Sequence, residues 1–185
     1  MAIHRSIKEG RLDAKIKIII SNKSNAAGLA YAREASLPSL LIERKPGENR
    51  TDFDKRISQA LDEAGVDIIC LAGFMRLLSK EFIARYRNKI VNIHPSLLPN
   101  FSGLDAQKQA VDAGAKVSGC TVHFVDEGCD TGPVIAQREV PVLPEDTEDS
   151  LADRILEQEH KLYSECLQKI AEGKVQIEGR NVRVF

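Results

Sequence analysis

The chain has 185 residues, with 26 basic and 27 acidic side chains and a net charge of -1. That length suits one domain able to bury about two-thirds of its unfolded surface without covalent staples, and the charge balance gives no electrostatic reason to expect nucleic acid or an anionic membrane as a partner. The cysteines Cys70, Cys120, Cys129 and Cys166 are scattered, with no CxxC pair; they read as ordinary thiols of a reducing compartment. No apolar run approaches the ~20 residues of a membrane span. The polar start, Met1 to Gly10, is no signal peptide, and a cytoplasmic protein is expected.

In chain order, Ile3 to Glu9 is weakly helical and Gly10 is a helix stop. Lys15 to Ile20 is a short β-branched run, the pattern of a buried strand. Ser21 to Asn25 is a polar turn. Ala26 to Ala35 predicts a helix that Pro38 keeps from running on. Leu40 to Ile42 is a short apolar run, and Lys45 to Arg50 a loop around Pro46 and Gly47. Phe53, Ile57, Ala60 and Leu61 recur at helical spacing within Asp52 to Ala64. Val66 to Ala72 predicts a strand ending at Gly73, Lys80 to Tyr86 a short helix, and Ile90 to Ile93 a strand running into His94 and Pro95. Alternating strand and helix point to an α/β fold, a mainly parallel twisted sheet flanked by helices. The later stretches differ. Cys120 to Val125 and Pro133 to Val142 predict strands that pair antiparallel at the sheet's edge. Thr147 to Cys166 predicts a long helix capped at Asp146 or Thr147, with Leu151, Ile155, Leu156 and Leu162 on one face.

Ligands of open α/β sheets bind outside the carboxyl ends of the strands. Asn92 and His94 lie two apart on a strand, so both side chains share one face. An amide there can donate to a developing oxyanion while an imidazole donates or moves a proton. Asp130, in a glycine-flanked loop, could approach them; a carboxylate beside an imidazole orients it and favours its protonated form. Each residue also has a plain reading. Asn-x-His arises by chance, Asp130 could be a turn former beside Gly132, and His123 could be a core imidazole. His160 reads as a surface or cap residue. A metal set of His94, His123 and Asp130 lacks the usual ligand spacings. Ser96 near His94 lacks the G-x-S-x-G elbow of a serine hydrolase.

Read whole, Leu71 to Ser79, Asn92 to Pro99, Gly103 to Gln107, Gln109-Ala110, Gly119, Thr121 to Val125, Asp130, Gly132-Pro133 and Gln137 form one ordered string. It closely resembles the glycinamide ribonucleotide transformylases, a branch of the folate-dependent formyltransferases, from about Ala2 to at least Tyr163. Formyltetrahydrofolate deformylases are similar but carry a second His where Pro95 stands. Methionyl-tRNA formyltransferases carry Arg-Gly-Ala-Ala where this chain has Ser102-Gly103-Leu104-Asp105. Both differences favour the ribonucleotide branch.

The resemblance implies a Rossmann-like formyltransferase fold and formyl transfer from the co-substrate 10-formyltetrahydrofolate to the amine of glycinamide ribonucleotide, in purine synthesis, with no metal. It implies Asn92, His94 and Asp130 as catalytic residues. Asn92 would hold the formyl oxygen, His94 would stabilise the oxyanion or pass protons, and Asp130 would assist. Folate contacts are implied at Arg50, Met75, Arg76, Leu77, Leu78 and Asn92, and at the Asp126 to Asp130 loop; substrate contacts at Pro95 and Glu159, the latter on the ribose. Small molecules are the implied partners, and a homodimer is compatible with the resemblance. On residue chemistry alone, Met75, Leu77 and Leu78 read equally as core, and Arg50 and Glu159 as solvated charges. The family opens with a strand and a Ser-Gly-x-Gly-Ser-Asn phosphate loop at a helix start. Neither stands before Ala2-Ile3, so a single, N-terminally incomplete formyltransferase domain is expected. The alternatives are a formyltetrahydrofolate hydrolase and a non-catalytic folate-binding module.

Overall fold

A computed structural model describes residues 1–185. The helices are α1 (Ala2–Lys8), α2 (Ala27–Glu34), α3 (Arg50–Ala64), α4 (Lys80–Arg85), α5 (Ala106–Asp112) and α6 (Glu148–Ala171). The strands are β1 (Ile19–Ser21), β2 (Ser39–Leu41), β3 (Ile69–Cys70), β4 (Ile90–His94), β5 (Val117–Phe124), β6 (Val134–Pro141), β7 (Val175–Glu178) and β8 (Asn181–Val184).

The first half is parallel: β1 pairs with β2 and β3 with β4. From β4 onward the four-stranded sheet β3-β4-β5-β6 turns antiparallel, and β7 and β8 form a separate hairpin. The mixed α/β architecture, with its late antiparallel strands, agrees with the expectation from sequence. The β4–β5 register sets Asn92 opposite His123 and His94 opposite Thr121. Two residues flagged for chemistry thus gain defined cross-strand partners.

Local chemistry explains the element boundaries. Asn49 caps α3 by accepting the Asp52 N–H at 2.9 Å, and Gly65 ends that helix at φ 63, a left-handed stop that costs glycine little. Ser79 caps α4 through the Phe82 N–H, and its own N–H donates to the buried Asp54 carboxylate at 2.6 Å. Thr147 and Ser150 form a reciprocal capping box at the start of α6. The buried face of α6 carries Leu151, Ile155, Leu162, Tyr163, Cys166 and Leu167 into one core with Val91, Cys120, Val122 and Phe124. Each large apolar side chain there contributes roughly 1.5–3 kcal/mol of transfer free energy. The Tyr163 hydroxyl lies 2.9 Å from the Leu71 carbonyl and 2.8 Å from that of Val91, pinning α6 to the ends of β3 and β4.

Two strands are shorter than their sequence patterns imply. Lys15 to Ile18 is not strand, and the paired residues Ile19–Ser21 are half-buried rather than buried. β1 has a strand partner, β2, along one edge only. Val66 to Ile68 falls outside β3 because the Val66 N–H bonds back to Leu61 at the end of α3. Helix α5 and the β7–β8 hairpin had no sequence expectation behind them.

Candidate active site

β4 ends in Asn92 and His94, and the following turn folds back under them. Ser96 and Leu98 are held to Thr121 on the facing strand: the Thr121 hydroxyl donates to the Ser96 carbonyl at 2.6 Å and accepts the Leu98 N–H at 3.1 Å. The Gln137 amide donates to the Leu98 carbonyl at 2.8 Å. This buried lattice fixes the backbone from which His94 projects.

The carboxylate of Asp130 reaches into that corner. One oxygen, Oδ2, lies 3.4 Å from His94 Nδ1 and accepts the Gly103 N–H at 2.9 Å. The other, Oδ1, lies 3.8 Å from His123 Nε2. Asp130 is thus a carboxylate set between two imidazoles and anchored by the Gly103 N–H rather than a bare turn former, although its φ of 54 shows that it also makes the turn. The approach of its loop depends on Gly132. A Cβ there would sit 1.9 Å from the Phe124 carbonyl oxygen, so no side chain fits.

Hydrogen-bond partners assign the rings. His123 Nδ1 lies 2.9 Å from the Phe124 carbonyl, which only accepts, so Nδ1 carries the proton. Its Nε2 then accepts from the Asn92 amide at 3.3 Å. Burial pushes His123 below the usual histidine range, in keeping with a neutral ring. His94 Nε2 donates to the Phe101 carbonyl at 2.9 Å, leaving Nδ1 to face Asp130. Both rings are buried.

Asn92, His94 and Asp130 are therefore brought together, with Pro95 half-buried beside them. His123 joins them. The sequence reading of it as a core imidazole is correct about burial; what it did not give is the contact with Asn92 and the approach to Asp130, which follow from the antiparallel β4–β5 register. The Met75 to Leu78 segment divides. Met75 and Leu77 are exposed, at 72% and 51%, and free to meet a ligand. Arg76 stacks its guanidinium 4.3 Å from the centre of the Phe53 ring. Leu78 packs with Phe82 and Ile90 in the core, which is the plain reading for that side chain. Arg50 is exposed at the first turn of α3, on a shallow depression of about 590 Å³ shared with Ser79, Lys80 and Glu81.

Glu159 is half-buried on α6, one turn before Tyr163. Burial alone pushes its carboxyl up to about 7. It is not the solvated charge of the plain reading. Its field adds to burial in pushing the Cys120 thiol on β5 up to about 12. Cys129, beside Asp130, is exposed, and burial of its thiol and the Asp130 charge raise it too.

A family model described as formyl transferase matches residues 1–167. The trifunctional purine biosynthetic protein adenosine-3 of Drosophila melanogaster is 50% identical over 162 residues, which is 88% of this chain and 12% of that much longer protein. The phosphoribosylglycinamide formyltransferase of Bacillus subtilis is 41% identical over 169 residues, covering 91% of this chain and 87% of the relative. A crystal structure of glycinamide ribonucleotide transformylase 1 from Symbiobacterium toebii superimposes with a TM-score of 0.97 at 46% identity, over 100% of this chain and 87% of that one.

Proposed function

The chain belongs to the formyl transferase family, and from that premise we propose that it transfers a formyl group from 10-formyltetrahydrofolate to the amine of glycinamide ribonucleotide. The observation that carries this reading is the convergence of an amide, an imidazole and a carboxylate at the end of β4, with Asp130 Oδ2 3.4 Å from His94 Nδ1. The thiol at the site, that of Cys129, donates to Asp130 Oδ2 at 3.6 Å, and burial and the Asp130 charge push it up, which disfavours its thiolate and suits direct attack by the substrate amine.

In the proposed reaction the amine nitrogen attacks the formyl carbon. The carbonyl π electrons move onto oxygen, and the tetrahedral adduct collapses with cleavage of the bond to folate N10. The attacking nitrogen loses a proton and N10 gains one. Asn92 has two amide hydrogens. One points at His123 Nε2, which orients the group; the other can donate to the formyl oxygen as charge builds there. Because Nε2 of His94 is occupied by the Phe101 carbonyl, its free nitrogen is Nδ1, facing Asp130. That geometry favours proton handling by the His94–Asp130 pair over direct oxyanion contact by His94. Asp130 accepts the amine proton directly or through one water and shares it with Nδ1.

Folate contact is proposed at exposed Met75 and Leu77, at Arg76 and Arg50, along the backbone of Leu78, and at the Asp126 to Asp130 loop. Pro95 shapes the substrate side. The half-buried Glu159 accepts from the ribose hydroxyls. A hydroxyl pair donating to this carboxylate would return part of the solvation it lost on burial.

The test is formyl transfer from 10-formyltetrahydrofolate to glycinamide ribonucleotide by the chain and by Asn92→Ala, His94→Ala and Asp130→Asn. Loss of the oxyanion donor should cost roughly 10²–10³ in kcat, with comparable losses at the other two. Equal rates in all four proteins would refute the roles. Formate release without any amine acceptor would identify a hydrolase instead, and folate binding without turnover a binding module.

A further inference from the structure

The β7–β8 hairpin lies beyond residue 167, where the match to the formyl transferase model ends. Val175, Ile177 and Val182 on the hairpin pack against the main core, which aims its two-residue turn, Gly179-Arg180, at the loop between β5 and β6. Arg180 there reaches both ends of the loop that bears Asp130. Its Nη1 lies 3.5 Å from Asp126 Oδ2, and its Nη2 donates to the Thr131 carbonyl.

Those two residues are already tied together from inside. Asp126 Oδ1 accepts the Thr131 hydroxyl at 2.6 Å and the Gly128 N–H at 3.1 Å. The remaining oxygen of Asp126 and the carbonyl of Thr131 face outward, and the guanidinium spans them. Asp130 sits in the bight so formed, with its carboxylate held on the inner side by the Gly103 N–H. The loop is clamped on both sides, and each clamp comes from a different part of the chain.

We propose that Arg180 is a positioning residue for Asp130, so that the C-terminal hairpin is a working part of the site. Arg180 touches neither His94 nor Asp130; it acts by holding the Asp126–Thr131 bight in register with β4. This proposal rests on the formyl-transfer reading for its catalytic consequence, and on the loop contacts alone for its structural one. The guanidinium is largely exposed, with 73% of its side chain open to solvent. The ion pair by itself is therefore a weak source of stability. A displacement of about 1 Å at a reacting group can nevertheless cost up to ~10²-fold in rate, so a partial loosening should show in kcat before it shows in melting temperature.

The experiment compares the full chain with Arg180→Gln, Arg180→Lys and the neighbouring control Arg183→Gln, which removes an exposed pair with Glu178 on the same hairpin. Hydrogen–deuterium exchange of the peptide spanning residues 125–133, kcat, KM and the pH profile of kcat are measured for each. In Arg180→Gln, exchange in that peptide should rise several-fold and kcat fall roughly 3–10-fold. KM for the ribonucleotide should stay within about twofold, and the kcat profile should move along the pH axis. Arg180→Lys should recover part of the loss, since an ammonium can reach one acceptor but lacks the two-armed fork. Wild-type exchange in Arg180→Gln, unchanged kcat in an active enzyme, or the same changes in Arg183→Gln would each overturn the proposal. Faster loop exchange in Arg180→Gln, with no formyl transfer by either protein, would support the tether and overturn the transferase reading.

Discussion

Replacing Glu159 by Gln should stabilise the free protein, and by an amount that depends on pH. Burial raises this carboxyl from 4.5 to about 7, and no neighbouring cation offsets the cost. A carboxyl raised in the folded state favours folding most below its unfolded value and loses that contribution as pH climbs through the folded one. The affected window therefore runs from about pH 4.5 to pH 7. Linkage across that window amounts to about 3 kcal/mol, and residual solvent contact at this half-buried group trims it to about 2–3 kcal/mol. Urea unfolding of both proteins at intervals from pH 4.5 to pH 8.5 measures it. The stability difference between Glu159→Gln and wild type should rise across the window and level off above it. At pH 8 the melting temperature of the variant should be higher by roughly 4–12 °C. Any fixed offset between glutamine and a protonated glutamate cancels, because only the slope with pH is read. A difference flat in pH would refute the claim that this carboxylate is uncompensated. Transfer activity should fall in the same variant, as expected of a charge kept for a ligand at a cost to stability.

Other perturbations probe the scaffold. Thr121→Val keeps the side-chain shape but strips the hydroxyl from the Ser96, Leu98 and Gln137 lattice; denaturant unfolding should show a loss of about 2–4 kcal/mol, with kcat reduced as His94 loses its support. Gly132→Ala forces a Cβ onto the Phe124 carbonyl; it should cost at least ~2 kcal/mol and depress kcat more than KM, by moving Asp130. Tyr163→Phe removes the hydroxyl that pins α6 to β3 and β4, for about 1–3 kcal/mol by thermal melting. Thr147→Ala removes one arm of the capping box and should cost about 1 kcal/mol while leaving activity intact.

Much of the architecture could be read from residue patterns, because the strongest signals were periodic and capped. The α6 pattern, with Thr147 before it and Leu151, Ile155 and Leu162 on one face, is reproduced, but Leu156, expected on that face, is 45% exposed because it follows Ile155 directly and points round the helix to solvent. The spacing of Asn92 and His94 correctly put them on one face of β4, and the family string placed Asp130 with them. What escaped was tertiary. Lys15 to Ile18 has strand composition but lies outside β1. His123 could not be told from any buried histidine until β5 was known to run antiparallel to β4 in this register. Leu78 and Met75 have similar character, yet one faces the core and the other solvent, because the segment carrying them is irregular and has no period to read. The hairpin bearing Arg180 has short alternating strands too brief to register against the long helix before it.

The left-handed backbone at Asp130 decides which experiments on this site can be interpreted. Asparagine tolerates that conformation nearly as well as aspartate, so Asp130→Asn removes charge while leaving the turn in place. Alanine would add backbone strain of order 1 kcal/mol or more and let the loop swing away. A dead alanine variant would then report a misplaced loop as readily as a missing acceptor. Charge and conformation are two properties of one side chain here, and the asparagine variant separates them.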